Sequence, residues 1–266
     1  MRIGNLLADE EFAGTEYGAV FYNAAFGQPA FWANNTLNTG PAFNVAGLGV
    51  RLRYHVTDSW YAQAGVYDGD TFDSADGDPG KNKNGVHFQL GNGQGWTSLY
   101  EFGYNGFNVD DGSGLPGWYR VGVWRHSAEF TNHDNSKSNG IWGLYGAVDQ
   151  MLLREQGDQG LGAFFRYGIA PRNRSRFHWV LDTGLNYKGL LPGRDEDVAA
   201  LGIVYGKHSS EIATTKSHET ALEATYLIQV TPGFYLQPDI QWINRPSGDT
   251  FIKDAWIFGL RAGFTF

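Results

Sequence analysis

The last thirteen residues, Asp254 to Phe266, put Trp256, Phe258, Leu260, Ala262, Phe264 and Phe266 on one side of an extended chain and Ile257, Gly259, Arg261, Gly263 and Thr265 on the other. Successive strand side chains point to opposite faces, so this strand separates an apolar medium from a wet or polar one. A soluble sandwich reverses the balance, hiding a mixed aliphatic face and showing many charges outside. A transmembrane barrel needs the arrangement seen here, with an aromatic row outward.

Mean hydropathy is only -0.37, and no run approaches the roughly 20 apolar residues of a spanning helix. A barrel resolves the conflict, because each strand needs about 10 residues of alternating character and half of them are polar. Aromatic residues at 15% supply interface girdles, and charged residues at 18% fall below the roughly 25% of an average soluble domain. The absence of Cys fits an oxidising compartment. A net charge of -8 lacks the basic footprint of a nucleic-acid partner. Met1 to Glu11 turns acidic too soon for a signal segment, so export implies a leader outside this sequence.

The two-faced pattern recurs toward the N-terminus. Leu236, Pro238, Ile240 and Trp242 oppose Gln237, Asp239 and Gln241; Leu222, Ala224, Tyr226, Ile228 and Val230 form the preceding strand. Leu201, Ile203 and Tyr205 form another, and in the stretch 177–188 Phe177, Trp179, Leu181, Leu185 and Tyr187 are expected outward. Pro238 requires a bulge or an edge, having no donor for the ladder. Further strands are expected over 161–169, 141–153, 118–126, 96–104, 60–68, 45–55 and 1–7, about twelve in all and antiparallel. Short turns at 231–233, 191–194, 155–158 and 57–59, with generally longer links between them, give the two unlike rims of such a barrel. No composition break divides the chain, so 1–266 reads as one domain. The stretch 8–44 is too long and too aromatic for a solvated loop and is expected to fold into the lumen as a partial plug.

Several segments in order resemble the carbohydrate-selective outer-membrane porins of the OprB type. They are Met1-Arg-Ile-Gly-Asn-Leu6 with Asp9-Glu-Glu-Phe12, Phe21-Tyr-Asn-Ala-Ala-Phe-Gly27, Trp60 to Asp68, Leu115 to Arg120, Asp149-Gln-Met151, Gly193 to Asp197, and Glu219 through Leu236-Gln-Pro-Asp-Ile-Gln-Trp242 to the end. The resemblance implies a β-barrel passing sugars across the outer membrane by diffusion, with lipids and small carbohydrates as partners, no cofactor, and a possible homo-oligomer. Family members carry further strands before the segment resembling Met1 to Leu6. The resemblance therefore implies either part of a barrel of about sixteen strands or a smaller, narrower one of about twelve.

A sugar is neutral and hydroxylated with apolar ring faces, so its channel needs planar donors, carboxylates and aromatic surfaces. Arg51, Arg53, Arg120, Arg166 and Arg261 fall on the inward face, as do Glu101, Asp182, Glu223 and Asp239. They are expected to line the pore and bind sugar, or else to pair with one another and stiffen the wall. Trp118, Trp124, Phe164 and Tyr67 also point inward, as a stacking track or as packing against the inserted loop. Arg125 falls on the outward face and is expected beyond the apolar band. Net acidity suggests cation preference, yet the inward arginines outnumber those inward acids by one.

Enzymatic motifs are lacking: the seven His make no HExxH, and no Ser sits in a G-x-S-x-G elbow. Asp73, Asp76 and Asp78 form a weak Ca²⁺ candidate without the distal Glu of an EF-hand, and more simply a solvated loop. The expected function is a diffusion porin for sugars and small polar solutes. Alternatives are a plugged structural or surface-recognition barrel and, more remotely, a soluble β-rich lectin.

Overall fold

The computed structural model describes residues 1–91, 93–106, 114–212 and 216–265. Twelve strands form one antiparallel sheet in chain order. They are β1 (Arg2–Leu6), β2 (Gly47–His55), β3 (Trp60–Asp68), β4 (Trp96–Asn105), β5 (Gly117–Thr131) and β6 (Lys137–Arg154). The second half comprises β7 (Gly160–Ile169), β8 (Phe177–Lys188), β9 (Val198–His208), β10 (His218–Thr231), β11 (Phe234–Asn244) and β12 (Ala255–Phe264). The ring is not closed, since β1 and β12 are the two edges of the sheet.

Alternation sorts the side chains as the sequence predicts. One face exposes Val50, Leu52, Tyr100, Val121, Phe165, Leu185, Leu201 and Leu260, while the other buries Arg51, Glu101, Arg120, Arg166, Asp182 and Glu223. Aromatic residues gather at both ends of the apolar face. At the rim of the 56–59 and 232–233 turns, Trp60 stacks on Phe102 with ring centroids 5.3 Å apart and Phe234 on Phe264 at 4.6 Å. At the opposite rim Tyr167, Trp179, Tyr205 and His218 form a continuous row, with successive centroids 5.8, 5.0 and 4.8 Å apart. Phe266, the last member of the expected outward row, lies outside the described residues.

Three local expectations change. Phe177 is buried on the polar face rather than outward with Trp179, because the β8–β9 register shifts between Phe177 and Trp179 and flips every side chain beyond the shift. Pro238 sits at neither a bulge nor an edge. The β10–β11 ladder instead lapses between the Thr225↔Asp239 and Ile228↔Leu236 pairs with its register intact, and the Thr225 hydroxyl donates to the Pro238 carbonyl at 3.0 Å. Finally, β5 and β6 run past their expected ends to a five-residue link at 132–136, so this hairpin supplies height on the long-link rim through its strands.

Between β1 and β2 the chain leaves the sheet for 40 residues, 7–46, although Leu6 and Gly47 are direct register partners. This segment holds two short helices, α1 (Ala24–Gly27) and α2 (Ala30–Ala33). The Asn23 side chain caps α1 by accepting from the Ala25 amide at 3.1 Å, and Pro29 precedes α2. Phe12, Phe26, Phe31 and Trp32 are at most 1% exposed, so the segment has a core of its own against the polar face of the sheet.

Candidate functional site

An irregular segment carries unpaired backbone donors and acceptors, and burial makes each one costly unless the surroundings satisfy it. The polar face does so with charge matched to the group. Carboxylates receive amides: Glu101 accepts from Ala13 at 2.9 Å, Asp149 from Tyr17 at 3.0 Å, and Glu223 from Tyr22 at 2.6 Å and Asn23 at 2.9 Å. Donors receive carbonyls: Gln63 donates to Glu11 at 2.6 Å and Gln237 to Val20 at 2.8 Å. Asn35 does both from the segment side, donating to the Phe177 carbonyl at 2.9 Å and accepting the Arg176 amide at 2.8 Å.

Arg166 is the centre of this network. Its Nε reaches both oxygens of Asp182 at 3.1 and 3.0 Å, and its two terminal nitrogens donate to the carbonyls of Ala13, Gly27, Ala25 and Phe26 at 2.9, 3.2, 2.9 and 2.9 Å. One side chain from β7 thus fastens two separate turns of the segment. Around it the aromatic side chains interlock, with Phe21 stacked on Phe26 at 4.3 Å, Phe26 edge-on to Phe164 at 5.9 Å, and Phe31 stacked on Tyr145 at 5.5 Å. Gly168 and Gly162 make room for them: a Cβ there would stand 2.1 Å from the Phe31 ring and 2.2 Å from the Tyr17 ring.

The other expected site residues divide into those fastened to the segment or wall and those left over. Arg51 pairs with Glu11 of the segment at 2.5 Å, Arg53 approaches the same carboxylate at 3.8 Å, and Arg2 also bonds it. Arg120 pairs with Asp149 at 2.6 Å and lies 3.7 Å over the Trp118 ring, whose Nε1 donates to the Tyr61 hydroxyl at 3.0 Å. Glu101 also accepts from the Tyr61 and Tyr145 hydroxyls and from Gln63. Trp124 and Tyr67 are fully buried; Tyr67 meets Phe12 edge-on at 6.4 Å. Asp239 accepts from Gln241 at 2.9 Å, and its carboxyl lies within side-chain hydrogen-bond reach of the Glu223 carboxyl. Arg261 is exposed and lies 3.9 Å over the Tyr22 ring. Arg125 is exposed, as expected.

Asp73, Asp76 and Asp78 do not converge. Asp73 bonds His87 at 2.6 Å, Asp78 caps the Gly80 amide at 2.8 Å, and Asp76 is exposed. Among the described residues no group of three metal-ligating side chains forms.

Sequence reasoning missed Glu11, Gln63, Asp149 and Gln237 as functional members. Asp149 and Gln63 were legible by parity alone, each occupying an inward position of its strand; Glu11 lies in irregular chain where no period applies.

Between the segment and the wall a cavity of about 500 Å³ remains, lined by Glu10, Glu16, Asn23, Gln28, Trp118 and Arg261 among others. Asp9 also borders it, one oxygen accepting from the Phe43 amide at 2.9 Å. Burial holds the Asp9 carboxyl above its ordinary range, and burial together with the nearby Asp149 carboxylate does the same for Glu16.

The sequence matches the carbohydrate-selective porin family OprB over residues 1–266. The chain belongs to that family. It is 24% identical over 295 residues to "Putative porin QuiX" of Acinetobacter baylyi and 20% identical over 300 residues to Porin B of Pseudomonas aeruginosa. These alignments cover 98% of this chain and 61% and 63% of those proteins, so the chain spans about three fifths of their length. The high-pH structure of Pseudomonas putida OprB is similar in fold, with a TM-score of 0.82 at 18% identity, covering 99% of this chain and 69% of that one. The twelve antiparallel strands thus carry the OprB porin fold.

Proposed function

We propose that the chain forms the wall and inserted constriction of an outer-membrane porin, through which sugars and other small polar solutes diffuse without any chemical step. The observation that carries this reading is the cavity between the segment and the wall, whose largely apolar and aromatic surface carries carboxylates, amides and a guanidinium, matching a sugar's apolar ring faces and its hydroxyls. Residues 7–46 occupy the lumen of a single barrel domain, since irregular backbone at membrane depth is tolerated where protein encloses it. Aromatic girdles at both rims of an apolar face favour a lipid setting, and among the described residues no helix is long and apolar enough to cross a bilayer.

Purified protein in planar bilayers is expected to conduct, and added glucose to reduce the current. A non-conducting insert overturns the porin reading. The wall charges saturated by the segment favour one competing reading, a plugged barrel without transport; liposomes that fail to swell in glucose or arabinose would select it.

The lipid setting has a separate test. Leu201 is 58% exposed in the middle of β9, between Leu185 and Ala224 of the adjoining strands. Leu201→Lys is expected to destabilise the protein in vesicles by about 2–4 kcal/mol, the usual cost of a lipid-facing cation near the midplane. An unchanged urea midpoint would remove this face from the membrane.

A further inference from the structure

We infer that the passage beside the inserted segment carries an acidic field and selects cationic over anionic solutes, with Glu10 and Glu16 as the residues that set it. The inference rests on the porin reading and concerns what the passage discriminates. The five inward arginines expected from the sequence outnumber the four acids expected with them, but that count omits Asp149 on β6. The structure changes that account: Arg120 is paired with Asp149 and Arg166 with Asp182, while Arg51 and Arg53 share the one Glu11 carboxylate with Arg2, a net positive cluster that does not line the cavity. Glu101 and Glu223 receive amide, amide side-chain and hydroxyl donors instead, and neither they nor Asp239 joins an ion pair among the described residues. The segment tilts the balance further, for residues 7–46 contain four acids, Asp9, Glu10, Glu11 and Glu16, and no Lys, Arg or His.

Of these four acids Glu11 is spent on arginines, and the other three border the cavity, where the sole Lys or Arg among its lining residues is Arg261. Glu10 and Glu16 are exposed to the cavity side. Asp9 is 8% exposed and its Oδ2 is held by the Phe43 amide, so its carboxyl adds to the field from behind the cavity wall rather than by contact with a solute. A narrow passage with low-dielectric walls focuses such a field rather than screening it. A potential of about one kT there enriches cations and depletes anions by about e-fold each, giving a permeability ratio of roughly seven. Trp118 on the cavity wall adds an aromatic surface that also favours cations, one face being occupied by Arg120.

The test is the reversal potential of the full chain in planar bilayers under a KCl gradient. The wild type is expected to reverse toward the potassium equilibrium potential, Glu10→Gln/Glu16→Gln to move several-fold toward equal permeability, and Arg261→Gln to move the other way. Liposome swelling gives a second reading, with glucosamine entering faster than glucose and glucose faster than gluconate. Conducting channels that prefer chloride, or a cation preference untouched by the double variant, overturn the inference and leave the porin reading standing. Absence of conductance in every variant removes both.

Discussion

Replacing Arg166 by methionine is expected to cost about 3–5 kcal/mol of stability, the usual consequence of removing one partner from a buried ion pair. The loss has two parts. Asp182 is left buried on β8 with no counter-charge, and the carbonyls of Ala13, Ala25, Phe26 and Gly27 lose their donor at once. A buried acceptor left unmade costs its full desolvation, whereas the net gain from making the bond was small. The double variant Arg166→Met/Asp182→Leu should recover only part of the deficit, because the apolar pair satisfies none of those carbonyls. Two measurements check this: the urea midpoint of the folded, heat-modifiable form in detergent, and chymotrypsin cleavage within 12–32, where Phe12, Phe21, Phe26, Phe31 and Trp32 are otherwise buried, scored apart from cleavage at the exposed Phe43. An unchanged midpoint with a protected segment would show that Arg166 does not fasten it.

The contrast between wall and segment explains how much of this was legible in the sequence. The strands announce themselves through a period of two, which any half-buried sheet imposes regardless of what covers it. Alternation alone therefore assigns Arg51, Glu101, Arg120, Arg166, Asp182 and Glu223 to one face. Phe177 escapes because a one-residue shift inverts parity and leaves no mark in composition. The segment's burial can be read from its aromatic content and its length. Its pairings cannot: that Glu101 binds the Ala13 amide, or Arg166 the carbonyls of α1, depends on contacts between positions 88 and about 140 residues apart. The arginine surplus is no guide to the lumen's charge, since it omits Asp149, which parity places inward, and since the free charge of a lumen is what remains after pairing, and pairing is tertiary.

Excising the segment should have the largest functional effect. Leu6 and Gly47 are register partners, so replacing residues 8–45 by Asn-Gly lets Leu7 and Ala46 continue the ladder into a two-residue hairpin. The lost aromatic core forfeits about 1.5–3 kcal/mol for each fully buried side chain, and the urea midpoint should fall accordingly. The wall need not collapse, because β1 to β12 pair only with their neighbours and the stranded charges of Glu101, Asp149 and Glu223 gain water where they lost amides. Conductance is expected to rise several-fold, since the material between the opposing wall residues is gone. Selectivity should shift with it: removing Asp9, Glu10, Glu11 and Glu16 also releases Arg51 and Arg53 from Glu11, so cation preference should fall to parity or reverse. A folded variant whose conductance is unchanged would place residues 7–46 outside the conducting path. One whose conductance rises while its cation preference persists would assign the field to the wall carboxylates Glu101, Glu223 and Asp239 instead.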